Sequence, residues 1–228
     1  MYSKGRNLFG LNVAKKHDTK RIIIVEGYMD AIALQKSGFD NAVASLGTAL
    51  TDDQARLLKK YTDNVIICYD QDSAGQNATL RGLDILHKRG INVKVLKLDK
   101  PDVKDPDEYI NKYGKERFEK CIDTSISLVE FKISMLEKNL NMNDMDSKIQ
   151  FLKNTAEILA SIDNDIEREI YVDRVSKKYG IGTGPILKEV EKKLNKKHET
   201  VYIDMQSLTR KMHLTTTLKK KQEQYIIL

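Results

Sequence analysis

The acidic residues of this chain that can do chemistry sit directly behind aliphatic runs. Ile22-Ile23-Ile24-Val25 leads into Glu26-Gly27-Tyr28-Met29-Asp30, and Val65-Ile66-Ile67-Cys68 leads into Tyr69-Asp70-Gln71-Asp72-Ser73-Ala74-Gly75. Side chains alternate along an extended backbone, so Asp70 and Asp72, one residue apart, aim the same way. Open α/β sheets bind ligands beyond the carboxyl ends of their strands, where these acids fall. Convergent carboxylates repel one another unless a divalent cation joins them. Magnesium prefers oxygen ligands and is typically held by one or two carboxylates plus substrate phosphates. The pattern therefore reads as a magnesium site.

A third acidic stretch, Lys104-Asp105-Pro106-Asp107-Glu108-Tyr109, follows a further strand-like run. Asp105 and Asp107 can reach the same pocket from a loop, and Asp30 from the first turn of its helix. With Glu26, Asp70 and Asp72 they make six acids, enough for two ions of the kind that stabilise the attacking and leaving oxygens of phosphoryl transfer. Plainer roles compete. Asp105 suits a helix N-cap with Asp107 in the first turn, Asp30 suits a helix N-terminus, and Ser73 alone can cap the helix after Asp72. Glu26 has no such alternative, because a glutamate closing a four-residue aliphatic strand gains nothing structurally.

The elements that must position these acids follow from periodicity. Strands are predicted at Ile22–Val25, Asn41–Ala44, Asn64–Tyr69 and Asn92–Leu98, with helices near Tyr28–Ser37, Asp52–Tyr61 and Gly75–Lys88 between them. Gly38 and Gly90 mark helix ends, and Thr51-Asp52-Asp53-Gln54 has the form of a capping box. The loop Ser45–Leu50 lies on the same sheet edge, as a phosphate-approaching turn or as an ordinary strand-to-helix connection. The alternation predicts an α/β fold, a mainly parallel sheet flanked by helices. After Glu119 the pattern becomes helical. Apolar stripes at Leu128, Phe131, Met135 and Leu136, at Ile149, Leu152, Ala156 and Leu159, at Ile166, Ile170, Val172 and Val175, and at Ile186, Leu187, Val190 and Leu194 predict a small α-helical bundle. Thr183-Gly184-Pro185 starts the last of these helices.

The 228 residues carry 39 Lys and Arg against 33 Asp and Glu, a net charge of +6 that mildly favours a polyanionic partner. No apolar run approaches the ~20 residues that cross a bilayer, and Met1-Tyr2-Ser3-Lys4-Gly5-Arg6 lacks an apolar signal region, so a cytoplasmic location is expected. Two cysteines and four scattered histidines do not make a zinc site, and no zinc is expected.

The acidic motifs resemble the Toprim domain shared by bacterial primases, topoisomerases of types IA and II and some nucleases. The longer strings Val25–Asp30, Asn41–Leu50, Cys68–Gly75 and Lys104–Tyr109, in that order, resemble bacterial DnaG-type DNA primase, and Ser3–Leu11 resembles the segment before its Toprim fold. The resemblance, over roughly Ser3 to Asn195, implies a DNA-directed RNA polymerase making short RNA primers. It implies Glu26, Asp70 and Asp72 as catalytic metal ligands for Mg2+, with Mn2+ as substitute, and Asp30, Asp105 and Asp107 completing the pocket. It also implies Lys4 near the nucleotide. The expected partners are single-stranded DNA template, ribonucleoside triphosphates and the replicative helicase, at the replication fork and with no membrane.

On that basis residues 1–20 are expected to be the remnant of a basic amino-terminal part and 21–124 the Toprim domain. Residues 125–195 are then the bundle, and 196–228 a linker and the start of a helicase-binding region. A zinc ribbon and most of the basic half are expected to be absent, leaving a truncated chain with weak template binding and little or no primer synthesis on its own. A Toprim nuclease, or an inactive metal-binding or docking remnant, remain the alternatives.

Overall fold

The computed structural model describes residues 4–17, 19–45, 50–70, 73–141 and 144–196. They belong to two compact units, Met1–Lys132 and Ile133–Leu228.

The first unit opens with a 3-10 turn at Lys4–Arg6 and the short helix α1 (Leu11–Ala14). It then alternates β1 (Ile22–Val25), α2 (Tyr28–Lys36), β2 (Ala42–Ala44), α3 (Asp52–Lys59), β3 (Asn64–Cys68), α4 (Ser73–Lys88) and β4 (Asn92–Val95). Helices α5 (Pro106–Tyr113) and α6 (Lys115–Asp123), the strand β5 (Ile126–Ser127) and the start of α7 (Leu128–Lys138) complete it. The strand order is β2-β1-β3-β4-β5. The first four strands are parallel, and β5 lies antiparallel on β4 with Val95 opposite Ile126. All four residues of β1 are buried, as the near-continuous apolar run of a strand covered on both faces requires.

Local signals set most boundaries. Thr51 caps α3 in a reciprocal box with Gln54, and Asp105 caps α5 with Pro106 in its first turn. Gly38 (φ 88°) and Gly90 (φ 68°) take the left-handed conformation just past α2 and α4. In this unit the structure differs from the sequence expectation at two places. The fourth strand ends at Val95 rather than Leu98, although the Leu96 N–H still donates to the Ile67 carbonyl at 2.9 Å. The strand β5 falls in a region that read as purely helical.

The second unit is helical: the end of α7, α8 (Met145–Ala160), α9 (Asp165–Tyr179) and a further helix, α10, over 183–196. Asp144 and Asn164 cap α8 and α9 by accepting the Ser147 and Glu167 N–H groups at 2.8 and 2.9 Å. Phe151, Leu159, Val172, Val175, Ile186 and Val190 are buried, and the Phe151 and Tyr179 rings meet at 4.7 Å. The stripe predicted on α9 splits: Ile166 and Ile170 are 73% and 52% exposed. At about 100° per residue Ile166 and Ile170 share one side of the helix, while Val172 and Val175 fall on the opposite side, so only the second pair faces the core. Ile149 is likewise exposed. The expected linker and terminal helix beyond Lys196 lie outside the described residues, as do Ser3 and Leu46–Ala49 of the loop after β2.

Candidate metal and nucleotide site at the carboxyl edge of the sheet

Strand register brings the acids together. Val25 of β1 is level with Ala44 on one side and Cys68 on the other, so Glu26 and Asp70 leave the sheet from neighbouring strand ends. The Ser45 N–H donates to the Val25 carbonyl at 3.2 Å, and the Tyr69 hydroxyl donates to Ser45 Oγ at 3.4 Å, tying the three exits to one another. Burial pushes the Tyr69 hydroxyl up to about 12, and the Glu26 charge adds to that rise. The Cys68 thiol is pushed well above its ordinary value, chiefly by burial, with the charges of Asp30, Asp70 and Asp105 contributing. Five acids from three separate segments therefore act on groups at the ends of β1 and β3: Glu26 and Asp30, then Asp70, then Asp105 and Asp107, the last through Asp30.

Asp30 is the buried member, at 8% exposure. Its Oδ2 accepts the Gly27 N–H at 3.1 Å and its Oδ1 accepts the Asp107 N–H at 3.3 Å. Burial is the main cause of its raised pKa; the two N–H groups pull it down, and Asp105 and Asp107 push it further up. Its helix-terminal role is real, and it also staples the first turn of α2 to that of α5. Asp105 accepts the Glu108 N–H at 2.7 Å as N-cap, and Asp107 Oδ1 accepts from Asn111 Nδ2 at 2.6 Å. The plain structural roles of both are thus present.

Among the described residues no three His, Cys, Asp or Glu side chains are arranged so as to hold a metal ion. Asp72 lies outside the described residues. The donor chemistry nevertheless fits a hard divalent cation: every candidate offers carboxylate oxygen, and the charges acting on buried Asp30 are both negative. Glu26 and Asp70 are partly exposed, in keeping with donors at the mouth of a site.

Lys4 is exposed, and its turn is fastened to the start of α3. The Thr51 hydroxyl donates to the Gly5 carbonyl, and Gln54 Nε2 donates to the Lys4 and Asn7 carbonyls. Helix α3 follows β2 in a parallel sheet, so its N-terminus opens at the same carboxyl edge as Glu26 and Asp70. The sequence marked Thr51 and Gln54 as a cap and gave no sign of this second attachment. Tyr28 and Met29, which carry no chemical motif of their own, are both about half exposed beside Glu26, and Phe9 meets the Tyr28 ring edge-on at 6.1 Å. No helix among the described residues is long and apolar enough to cross a membrane.

Comparison with known proteins adds to this geometry. A family model described as Toprim-like matches residues 23–110, and one described as the DnaB-helicase binding domain of primase matches 129–184. The chain is 47% identical over 182 residues to the DNA primase of Clostridium acetobutylicum, covering 79% of this chain and 30% of that protein. It is 35% identical over 192 residues to the DNA primase of Halalkalibacterium halodurans, covering 83% and 32%. The chain thus spans about a third of the length of these curated relatives. Among solved structures, the DnaG primase catalytic domain bound to ssDNA superposes with a TM-score of 0.65 at 33% identity, covering 81% of this chain and 59% of that one.

Proposed function

The chain belongs to the bacterial DnaG-type DNA primases, and from that membership we propose that it carries the metal-binding part of a DNA-directed RNA polymerase that makes short RNA primers on single-stranded DNA. The observation that supports this most directly is the gathering of acids from three segments at one carboxyl sheet edge, felt by the buried Cys68 and Tyr69 side chains.

In this reading Glu26, Asp70 and Asp72 hold Mg2+, or Mn2+ in its place, and are the catalytic residues. A divalent cation bound there supplies Lewis-acid stabilisation of phosphoryl oxygens during transfer. Asp30, Asp105 and Asp107 add negative charge around it, either as ligands of a second ion or as its electrostatic background. Asp30 in addition keeps α2 and α5 in register through its two backbone hydrogen bonds. Lys4 faces the triphosphate of the incoming ribonucleotide. The protein's share of catalysis is positioning and charge compensation, as phosphoryl transfer generally demands. No side chain here has a clear claim to be a general base.

The remaining assignments follow the same reading. Residues 21–124 act as the Toprim domain and 125–195 contain the helical bundle, although Ile126–Ser127 at its start lend strand β5 to the sheet; the replicative helicase is the protein partner at the replication fork. The name of the model matched by 129–184 supports that partner. Incubation with single-stranded DNA, labelled ribonucleotides and Mg2+, with the amino-terminal part of a related primase added in trans, tests the function. Growth of labelled RNA that Glu26→Gln abolishes supports it, whereas shortening of the template by the same acids would point to a nuclease.

A further inference from the structure

The capping box of α3 holds more than its own helix. Gln54 N–H donates to Thr51 Oγ1 at 3.2 Å and Thr51 N–H donates to Gln54 Oε1 at 3.0 Å. Glutamine or glutamate serves that box equally well at its third position. Here the amide nitrogen has separate work. Gln54 is fully buried, and its Nε2 donates to the Lys4 carbonyl at 3.0 Å and the Asn7 carbonyl at 2.9 Å. The Thr51 hydroxyl donates to the Gly5 carbonyl at 2.5 Å. Three carbonyls of one turn, 46 to 50 positions upstream, are therefore gripped by two side chains. A glutamate would still cap α3, yet it has no N–H to offer those carbonyls and would set a carboxylate against them. On the same turn Arg6 pairs with Asp53 at 3.4 Å.

We infer that Thr51 and Gln54 are positioning residues for nucleotide binding, fixing the Lys4–Asn7 turn so that the Lys4 ammonium is presented to the triphosphate at the acidic edge. The inference deepens the function proposed above and rests on Lys4 contacting the nucleotide. A lysine carries a long flexible stem, and an anchored backbone leaves less freedom to be lost when its head engages an anion.

The test uses Mg·ATP as probe and the variants Gln54→Glu, Gln54→Met, Thr51→Ser and Lys4→Ala. Gln54→Met, neutral and of similar length, covers the case in which a buried carboxylate unfolds the helix. Both Gln54 variants should weaken Mg·ATP about five- to tenfold, the scale of one or two lost hydrogen bonds. Mn2+ affinity measured without nucleotide should not change. Thr51→Ser, which keeps the hydroxyl, should bind as the parent does. Amide exchange at residues 5–9 should accelerate in the Gln54 variants only. In a double-mutant cycle, Gln54→Met on a Lys4→Ala background should cost nothing further.

Additive losses in that cycle, or unchanged Mg·ATP affinity in both Gln54 variants, would overturn the inference while leaving Lys4 its role. Unchanged affinity in Lys4→Ala would remove that role and the inference with it. The Mn2+ titration separately reports whether the acidic site stands.

Discussion

Asp30 and Asp107, 77 positions apart, are joined by a hydrogen bond from the Asp107 N–H to Asp30 Oδ1 at 3.3 Å. The same carboxylate takes the Gly27 N–H, so one buried side chain sets both the exit from β1 and the approach of the loop that carries Asp105 and Asp107. Asp30→Ala leaves two N–H groups without their acceptor and should destabilise the first unit by about 1–3 kcal/mol. Asp107→Ala keeps the backbone donor and should cost much less. Urea denaturation of the two variants distinguishes them.

Asp102 illustrates an acid-side dependence. Hydrogen bonds from Lys112 and Tyr113, at 2.7 and 2.6 Å, hold its carboxyl down at about 2 from an ordinary 3.8. A depressed folded-state pKa means that the unfolded chain takes up the proton first as pH falls. The stabilising contribution is thus whole above about 4 and is lost as pH drops towards 2. Asp102→Asn should flatten that part of the acid unfolding curve and leave stability near neutral pH little changed relative to its own plateau.

Tyr69 gives the opposite limb. Its hydroxyl is raised from 10.0 to about 12, chiefly by burial. The folded state therefore retains a proton that the unfolded chain releases, and stability falls as pH rises from 10 towards 12. Tyr69→Phe should lessen the alkaline loss. It should cost about 1 kcal/mol or less at neutral pH, since the bond surrendered to Ser45 is long at 3.4 Å.

The two sides of α9 should respond differently to truncation. Val175→Ala removes buried methyl groups and should destabilise by about 1–3 kcal/mol. Ile170→Ala, at a half-exposed position, should stay within about 0.5 kcal/mol of the parent. Thermal unfolding of both variants checks the assignment of faces.

What the sequence made legible was local. Thr51 with Gln54, Asp105 before Pro106, and Gly38 and Gly90 past their helices are signals spanning a few residues, and each marks the boundary it promised. The strands β1 and β3 announced themselves because burial on both faces demands unbroken aliphatic runs. Strand β5 has two residues and exists only by pairing with β4, so no periodicity could reveal it. The α9 stripe misled because Ile166, Ile170, Val172 and Val175 are close along the chain yet the two pairs take opposite angles around the helix. At the site, acid types and strand-end placement were readable, whereas the Asp30–Asp107 bond and the grip of Gln54 on Lys4 and Asn7 join residues 47 to 77 positions apart. Such contacts depend on the completed fold.

The most direct measurement is a Mn2+ titration of the parent chain, Glu26→Gln and Asp70→Asn by calorimetry, with folding checked by circular dichroism. Saturable binding in the parent that falls about tenfold or more in each folded variant, the scale of losing a charged ligand, is the predicted result. Equal Mn2+ affinity in all three proteins would contradict the gathering of these carboxylates around a shared cation.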